Sequence, residues 1–308
     1  MSSTTTTTRT MFLSNAPPPP VKRLVPYSQQ PTTTDPTVSR ATQGGIGLQQ
    51  QPIPSPRVFG DKFEEREYLK GRLVLAFRLF AKHNLDEGLT GHITLRDPIL
   101  RDHFWANPLG RPFQLMRRSD LILVNGAGEV VGGGTNRLLD RAAYAMHHTV
   151  HAARPEVNCV AHSHSLYGRT FSSLGRPLQM LTQEACAFHN DVAVYRPSST
   201  AAVPANEKGE EQHHIAKALG DKKAALLQNQ GLLTCGETVE AAAYWFYALE
   251  RCCQSELMAL AVPGAPALIE DKDAASTYKS RGTAEMGWLH AQPMFEVMAH
   301  ESGDDYLQ

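Results

Sequence analysis

From Phe63 onward the apolar residues fall at helical spacing, with Leu69, Leu73, Leu75, Ala76, Leu79 and Phe80 on a stripe and Glu64 and Glu65 in the first turn. The spacing predicts a long amphipathic helix running to Leu85. Gly91 to Arg96 then alternates between polar and apolar residues and predicts a strand. Leu121 to Val124 and Glu129 to Val131, joined by Asn125-Gly126-Ala127-Gly128, predict a hairpin in which Asn-Gly supplies the positive φ of the turn. Thr135 to Arg154 carries Leu138, Leu139, Ala142, Ala143, Met146 and Val150 as a helical stripe, which Pro155 ends. The apolar run from Val157 to Ala161 reads as the next strand.

Further along, Ala224 to Gln228 and Leu232 to Thr234 predict two strands around the turn Asn229-Gln230-Gly231. Thr238 offers an N-cap hydroxyl to a helix from Val239 to about Leu260. Its aromatic cluster Tyr244 to Tyr247 is expected in the core and against a neighbouring subunit. Gly132-Gly133-Gly134 reads as a flexible bend. Strands, helices and hairpins are intermixed, which predicts one α/β layered domain with a mixed sheet.

The first sixty residues are of another kind. A threonine run at Thr4 to Thr8, four consecutive prolines from Pro17 and a glutamine run at Gln49 to Gln51 leave little to bury, so residues 1–60 are expected to be a disordered tail. The tail is basic and poor in acids, as organelle import signals are, but its proline block interrupts any amphipathic helix. The domain is expected over 61–265, with 266–308 as an extension packing on it.

With 42% hydrophobic and 20% charged residues in 308, the chain can bury a large core. A formal net charge of −1 gives no field to attract nucleic acid or anionic lipid, and no apolar run is long enough for a membrane span. Five cysteines, an odd number with none in a C-x-x-C spacing, read as reduced thiols of a cytoplasmic protein.

The candidate chemistry lies at the end of the strand before Ser165. His162 and His164 are two residues apart, so on a strand they project from one face and can grip one metal ion. His147-His148 and His213-His214 sit in helical patterns, where neighbours diverge, and are expected to be structural or solvent-facing.

These residues add up to a resemblance. Leu121-Ile122-Leu123-Val124, then Arg154-Pro155-Glu156-Val157 through His162-Ser163-His164, then Gln183-Glu184-Ala185, then Gln228-Asn229-Gln230-Gly231 through Glu240-Ala241-Ala242 resemble the class II aldolase/adducin family in order and spacing. The match runs from about Phe63 to Gly264. The segments Asp97-Pro98 to Trp105 and Gly287-Trp288-Leu289 are similar to the adducin-like branch found in fungi.

The resemblance implies a three-layer α/β/α domain with a mixed, largely antiparallel central sheet, assembled as a homo-oligomer, a tetramer foremost. It implies a divalent metal, zinc foremost, held by His162, His164 and a third ligand, with a glutamate on the preceding helix as acid/base. The metal would stabilise an enediolate-like intermediate as a C–C or C–H bond breaks. Two positions depart from the family. Gln230 stands where the third histidine is expected, and its amide oxygen is a weaker donor, so the site would favour another ion, recruit His92 or Glu184, or be empty. Ala143 stands at the glutamate position, leaving Asp140, one turn earlier on the same helix face, as the candidate replacement. Tyr167 is a candidate proton donor to a leaving group, and Glu184 a candidate carboxylate for orienting a ligating imidazole. The family's phosphate-binding residues are also replaced, at Gly91-His92-Ile93-Thr94 and Asn125 to Gly128.

The expected activity is therefore a metal-dependent aldol-type lyase or isomerase on a non-phosphorylated hydroxy-carbonyl small molecule. The alternatives are an adducin-like protein-interaction module, or a metal-free cyclase or dehydratase using the same cleft. A cytoskeletal partner is disfavoured, because no long lysine-rich tail follows the domain before Gln308.

Overall fold

The computed structural model describes residues 54–197 and 208–308, with the side chains of 208–212 left aside. The expected tail and import signal lie outside the described residues up to position 53. Arg57 and Phe59, at its end, dock on the first helix: Arg57 pairs with Glu64 at 2.7 Å and Phe59 packs on Tyr68 with ring centroids 5.0 Å apart.

That helix, α1 (Lys62–Lys82), begins where the Asp61 carboxylate accepts the Phe63 N–H at 2.8 Å, with Glu64 and Glu65 complementing the N-terminal dipole. The one-sided stripe proves too narrow a reading. Every residue from Gly71 to Phe80 is buried, including Arg72 and Arg78, because α1 is covered on all sides by the sheet and later helices. Both arginines survive burial because each has acceptors: Glu240 and Gln292 for Arg72, the Met116 carbonyl and Asp305 for Arg78.

Eight strands form one sheet in the order β4-β3-β2-β1-β5-β8-β7-β6. They are β1 (His92–Arg96), β2 (His103–Ala106), β3 (Ile122–Asn125), β4 (Val130–Gly133), β5 (Cys159–Ser163), β6 (Val192–Tyr195), β7 (Ala224–Leu227) and β8 (Gly231–Gly236). All neighbours are antiparallel except β6 and β7. The helices are α2 (Arg141–Ala153), α3 (Leu166–Ser172), α4 (Lys208–Leu219), α5 (Val239–Leu260), α6 (Asp271–Arg281) and α7 (Ala284–Ser302).

Alternation along the strands divides the core. Ile93, Leu95, Cys159, Ala161 and Leu232 face the layer containing α1, α5 and α7, whereas Val160, Leu233 and Cys235 face α2 and α4. The fold is thus the expected α/β/α sandwich with a mixed, largely antiparallel sheet.

Three local expectations change. The β3–β4 turn takes its positive φ at Gly128 (+77°), not at Asn125 or Gly126, and Asn125 Oδ1 closes the loop by accepting the N–H groups of Ala127 and Glu129 at 3.0 Å. Gly132 and Gly133 are not a flexible bend but the end of β4, where Gly133, at φ +93°, lies against the Leu121 carbonyl and the Ile122 Cα too closely for any side chain. α2 starts six residues later than the apolar stripe suggests, because Asp140 caps it. The aromatic cluster of α5 is covered from within the chain: Tyr244 stacks on His290 of α7 and Tyr247 packs on His83, at centroid distances of 5.1 and 4.7 Å. That cluster is therefore no evidence of a subunit contact.

Candidate functional site

The sheet face toward α2 carries a cluster of imidazoles. His162 on β5 is the direct register partner of His92 on β1, so their side chains stand side by side on this face. His164 follows at the strand end, its ring centroid 5.1 Å from that of His162. His147 of α2 comes down from the helical layer with its ring 6.2 Å from that of His92.

Local structure fixes the first of these rings. His162 Nδ1 lies 2.8 Å from the Leu232 carbonyl, which only accepts, so Nδ1 carries the proton and Nε2 is left as a lone pair. Burial, then the neighbouring His164 and His92, push the His162 imidazole down to about 3, so it is neutral at physiological pH. Burial likewise lowers His92 and His164, outweighing the favourable charges of Asp140 and Glu87 respectively. Neutral imidazoles are the form that binds a metal. Among the described residues no three His, Cys, Asp or Glu side chains converge as a complete ligand set. Of the nitrogen donors at the strand end, the structure orients His162, neutral and beside His164.

The third position is brought alongside by a backbone device. Asn229 takes φ +65° and Gly231 φ +111°, and a Cβ on Gly231 would lie 2.5 Å from the Ser163 carbonyl and 3.1 Å from the His164 Cα. Only glycine lets the turn approach so closely, and the approach sets Gln230 beside the end of β5. Ala143, at the glutamate position, is half-buried on α2. Asp140 accepts the N–H groups of Ala142 and Ala143 through Oδ1, each at 3.0 Å, while Oδ2 is 3.8 Å from His92 Nε2. His92, Asp140 and His147 line one small cleft together with Asn107, Leu109 and Leu139.

Two expected residues are not placed there. Tyr167 packs against the core of the opposite layer, its N–H donating to Glu250 at 2.9 Å. Glu184 is exposed, and its charge is felt by Cys186, Tyr244 and Cys252 on that same side. The chain leaves β5 and enters α3 on the far face, which carries both away. His147, expected to be structural or solvent-facing, is the former: it is wholly buried beside His92. His151, one helical turn on, and Thr94 join it, at 2.9 Å from Thr94 Oγ1 to each ring. The signal was the i, i+4 spacing of His147 and His151 rather than the adjacent pair His147-His148. His213 and His214 are exposed.

An α/β/α sandwich with a His-x-His pair at the end of a central strand has the build of a class II aldolase. Residues 71–257 match the class II aldolase and adducin N-terminal domain, and the chain belongs to that family. Decarboxylase NovR of Streptomyces niveus is 43% identical over 244 residues, covering 79% of this chain and 88% of the relative. The 4-hydroxy-3-prenylphenylpyruvate oxygenase/4-hydroxy-3-prenylbenzoate synthase of Streptomyces roseochromogenus subsp. oscitans is 42% identical, covering 81% and 88%. Among solved structures, L-fuculose 1-phosphate aldolase from Glaciozyma antarctica PI12 superposes with a TM-score of 0.75 at 45% identity, covering 82% of this chain and 96% of that one.

Proposed function

We propose that this protein is a metal-dependent lyase or isomerase acting on a non-phosphorylated hydroxy-carbonyl small molecule. The observation that carries the reading is the His162 ring, held neutral with Nδ1–H tied to Leu232 and Nε2 bare beside His164. His162, His164 and the Gln230 amide would hold the ion, with zinc as the first candidate. A bound divalent ion supplies Lewis-acid polarisation of a carbonyl, easing cleavage of the adjacent C–C or C–H bond. The similarity to an aldolase and to a decarboxylase, both of which break a C–C bond, supports that class of reaction.

The chain's own residues argue against a phosphate on the substrate. The N–H groups of Ala127 and Glu129 are already taken by Asn125, and Glu129 adds a negative charge to the same turn. Leu109 and Leu139 give the pocket an apolar wall suited to an uncharged or apolar tail. Asp140 places a carboxylate beside His92 and keeps this end of the pocket unfavourable to a second anion.

The assembly we infer is a homo-oligomer, a tetramer foremost, whose partner subunit covers the site rim. Leu138, two residues from Asp140, is 63% exposed, an apolar rim that a neighbour would bury. Light scattering at micromolar concentration tests this, and a monomer would refute it.

Elemental analysis of the purified protein beside a His162→Ala/His164→Ala double mutant tests the metal reading. A stoichiometric divalent ion in the wild type that is lost in the mutant is expected. A folded wild type without metal, and without a thermal shift on adding zinc, manganese, cobalt or nickel, would sink it.

A further inference from the structure

Above the His162–His164 pair runs a chain of hydrogen bonds whose direction can be read from its fixed end. The Val157 carbonyl only accepts, so His151 Nδ1, 3.2 Å away, carries the proton there. Burial, then the charge of Arg96, push the His151 ring down to about 3, so it is neutral and its Nε2 is a lone pair. Thr94 Oγ1 is 2.9 Å from that Nε2, and its single hydrogen goes there. The same oxygen is then an acceptor toward His147 Nδ1, also at 2.9 Å, so Nδ1 bears the proton of that ring. His147, kept neutral by complete burial, is left with Nε2 as a bare lone pair.

His147 Nε2 is buried and has no hydrogen-bond partner. A buried acceptor without a donor is destabilising, yet two further side chains hold this one in that state. Both ring nitrogens of His92, across the same pocket, also lack hydrogen-bond partners. A neutral imidazole has one N–H and one lone pair, so the two rings together suit a ligand that both donates and accepts, as a hydroxyl beside a carbonyl does. Asp140 is less suited to move a proton, because one of its oxygens is committed to capping α2.

We propose that His147 is the catalytic base of this site, its Nε2 removing the proton from the hydroxyl-bearing carbon next to the carbonyl of an unphosphorylated hydroxy ketone. This rests on the hydroxy-carbonyl reading above. The base sits on α2 one turn beyond Ala143, where the family places its glutamate, so the function has moved along the helix rather than vanished. In the step, the C–H bond breaks and its proton passes to Nε2, giving an imidazolium. The electron pair shifts into a C–C double bond as the carbonyl π electrons move onto oxygen. Return of a proton from Nε2 to the same carbon completes exchange; delivery to the former carbonyl carbon, with the hydroxyl proton passing to the enolate oxygen, completes isomerisation. Thr94 and His151 are positioning residues that keep the base in the right tautomer.

The test uses the full chain with one equivalent of zinc and hydroxyacetone in D2O, following loss of the carbinol C–H signal by proton NMR. Wild type is expected to exchange faster than buffer, and His147→Gln to lose about 100-fold or more of that rate. Thr94→Val is expected to slow exchange and Thr94→Ser to restore it. In parallel, nitrogen-15 NMR of the imidazoles in the wild type, which needs no mutant to fold, is expected to show His147 with the proton on Nδ1 and a bare Nε2. A proton on His147 Nε2, undiminished exchange in His147→Gln, or no exchange by wild type would each overturn the proposal. Exchange that depends on His147 but persists without any metal would sink the metal reading and leave this one standing.

Discussion

His162 donates through Nδ1 to the carbonyl of Leu232, 2.8 Å away on the neighbouring strand, and the bond sets which nitrogen of the imidazole faces the site. The β5–β8 pairing thereby orients an imidazole that the strand alone would leave free to rotate. In the proposed ligand set the weak point is Gln230. Gln230→His is expected to raise zinc affinity at least about tenfold, or ~1.4 kcal/mol, in a competition titration with a chromophoric chelator. Unchanged affinity would show that this turn supplies no ligand.

Asp140 acts on stability through α2 and on chemistry through the pocket, and two substitutions separate these. Asp140→Ala removes the acceptor for the Ala142 and Ala143 N–H groups and is expected to lower stability by about 1 kcal/mol in urea unfolding. Asp140→Asn retains a capping oxygen and is expected to stay close to wild type in stability. If Asn abolishes turnover while stability holds, proton transfer belongs to Asp140 and not to His147.

Arg72 and Glu240 join α1 to α5 by an ion pair at 2.6 Å, with side chains only 3% and 4% exposed. Breaking it leaves an uncompensated buried charge, so Glu240→Ala is expected to destabilise by about 3–5 kcal/mol. The double replacement Arg72→Met/Glu240→Leu is expected to recover most of that loss. Equal destabilisation by the single and double variants would contradict this account.

Stability is expected to fall in mild acid. The folded chain keeps His151 unprotonated down to about pH 3, whereas the unfolded chain protonates it near pH ~6.5. Between those values the unfolded state binds more protons, so stability is full above the unfolded pKa and is lost as pH falls toward the folded one. The slope is about 1.4 kcal/mol per pH unit for each such histidine. His151→Gln should flatten the dependence by about that amount between pH 6 and 4, read from urea midpoints.

Much of the fold was legible along the chain. Periodicity locates α1, β1, β5, β7, β8 and α5, because burial of one face imposes a repeat of two or of three to four residues. It is silent on β2 and β6. It also misjudged α1, since a helix sealed on all sides by other elements needs no polar face, provided its arginines find acceptors.

The sequence by itself determined that His162 and His164 share a face, because alternation on a strand is a local geometric consequence. That the residue after Gln230 must be glycine is decided in three dimensions, where the turn meets β5. Only the tertiary structure decided what stands opposite the two histidines. Whether Thr94, His147 and His151 meet depends on how α2 lies across β1, and hydrogen-bond direction depends on a carbonyl, that of Val157, six residues beyond His151. The same holds in reverse for Tyr167, three residues from His164 but sent to the far layer when the chain turns from β5 into α3. Proximity along a chain decays within a helical turn or a strand pair, whereas a catalytic constellation is assembled by packing between layers.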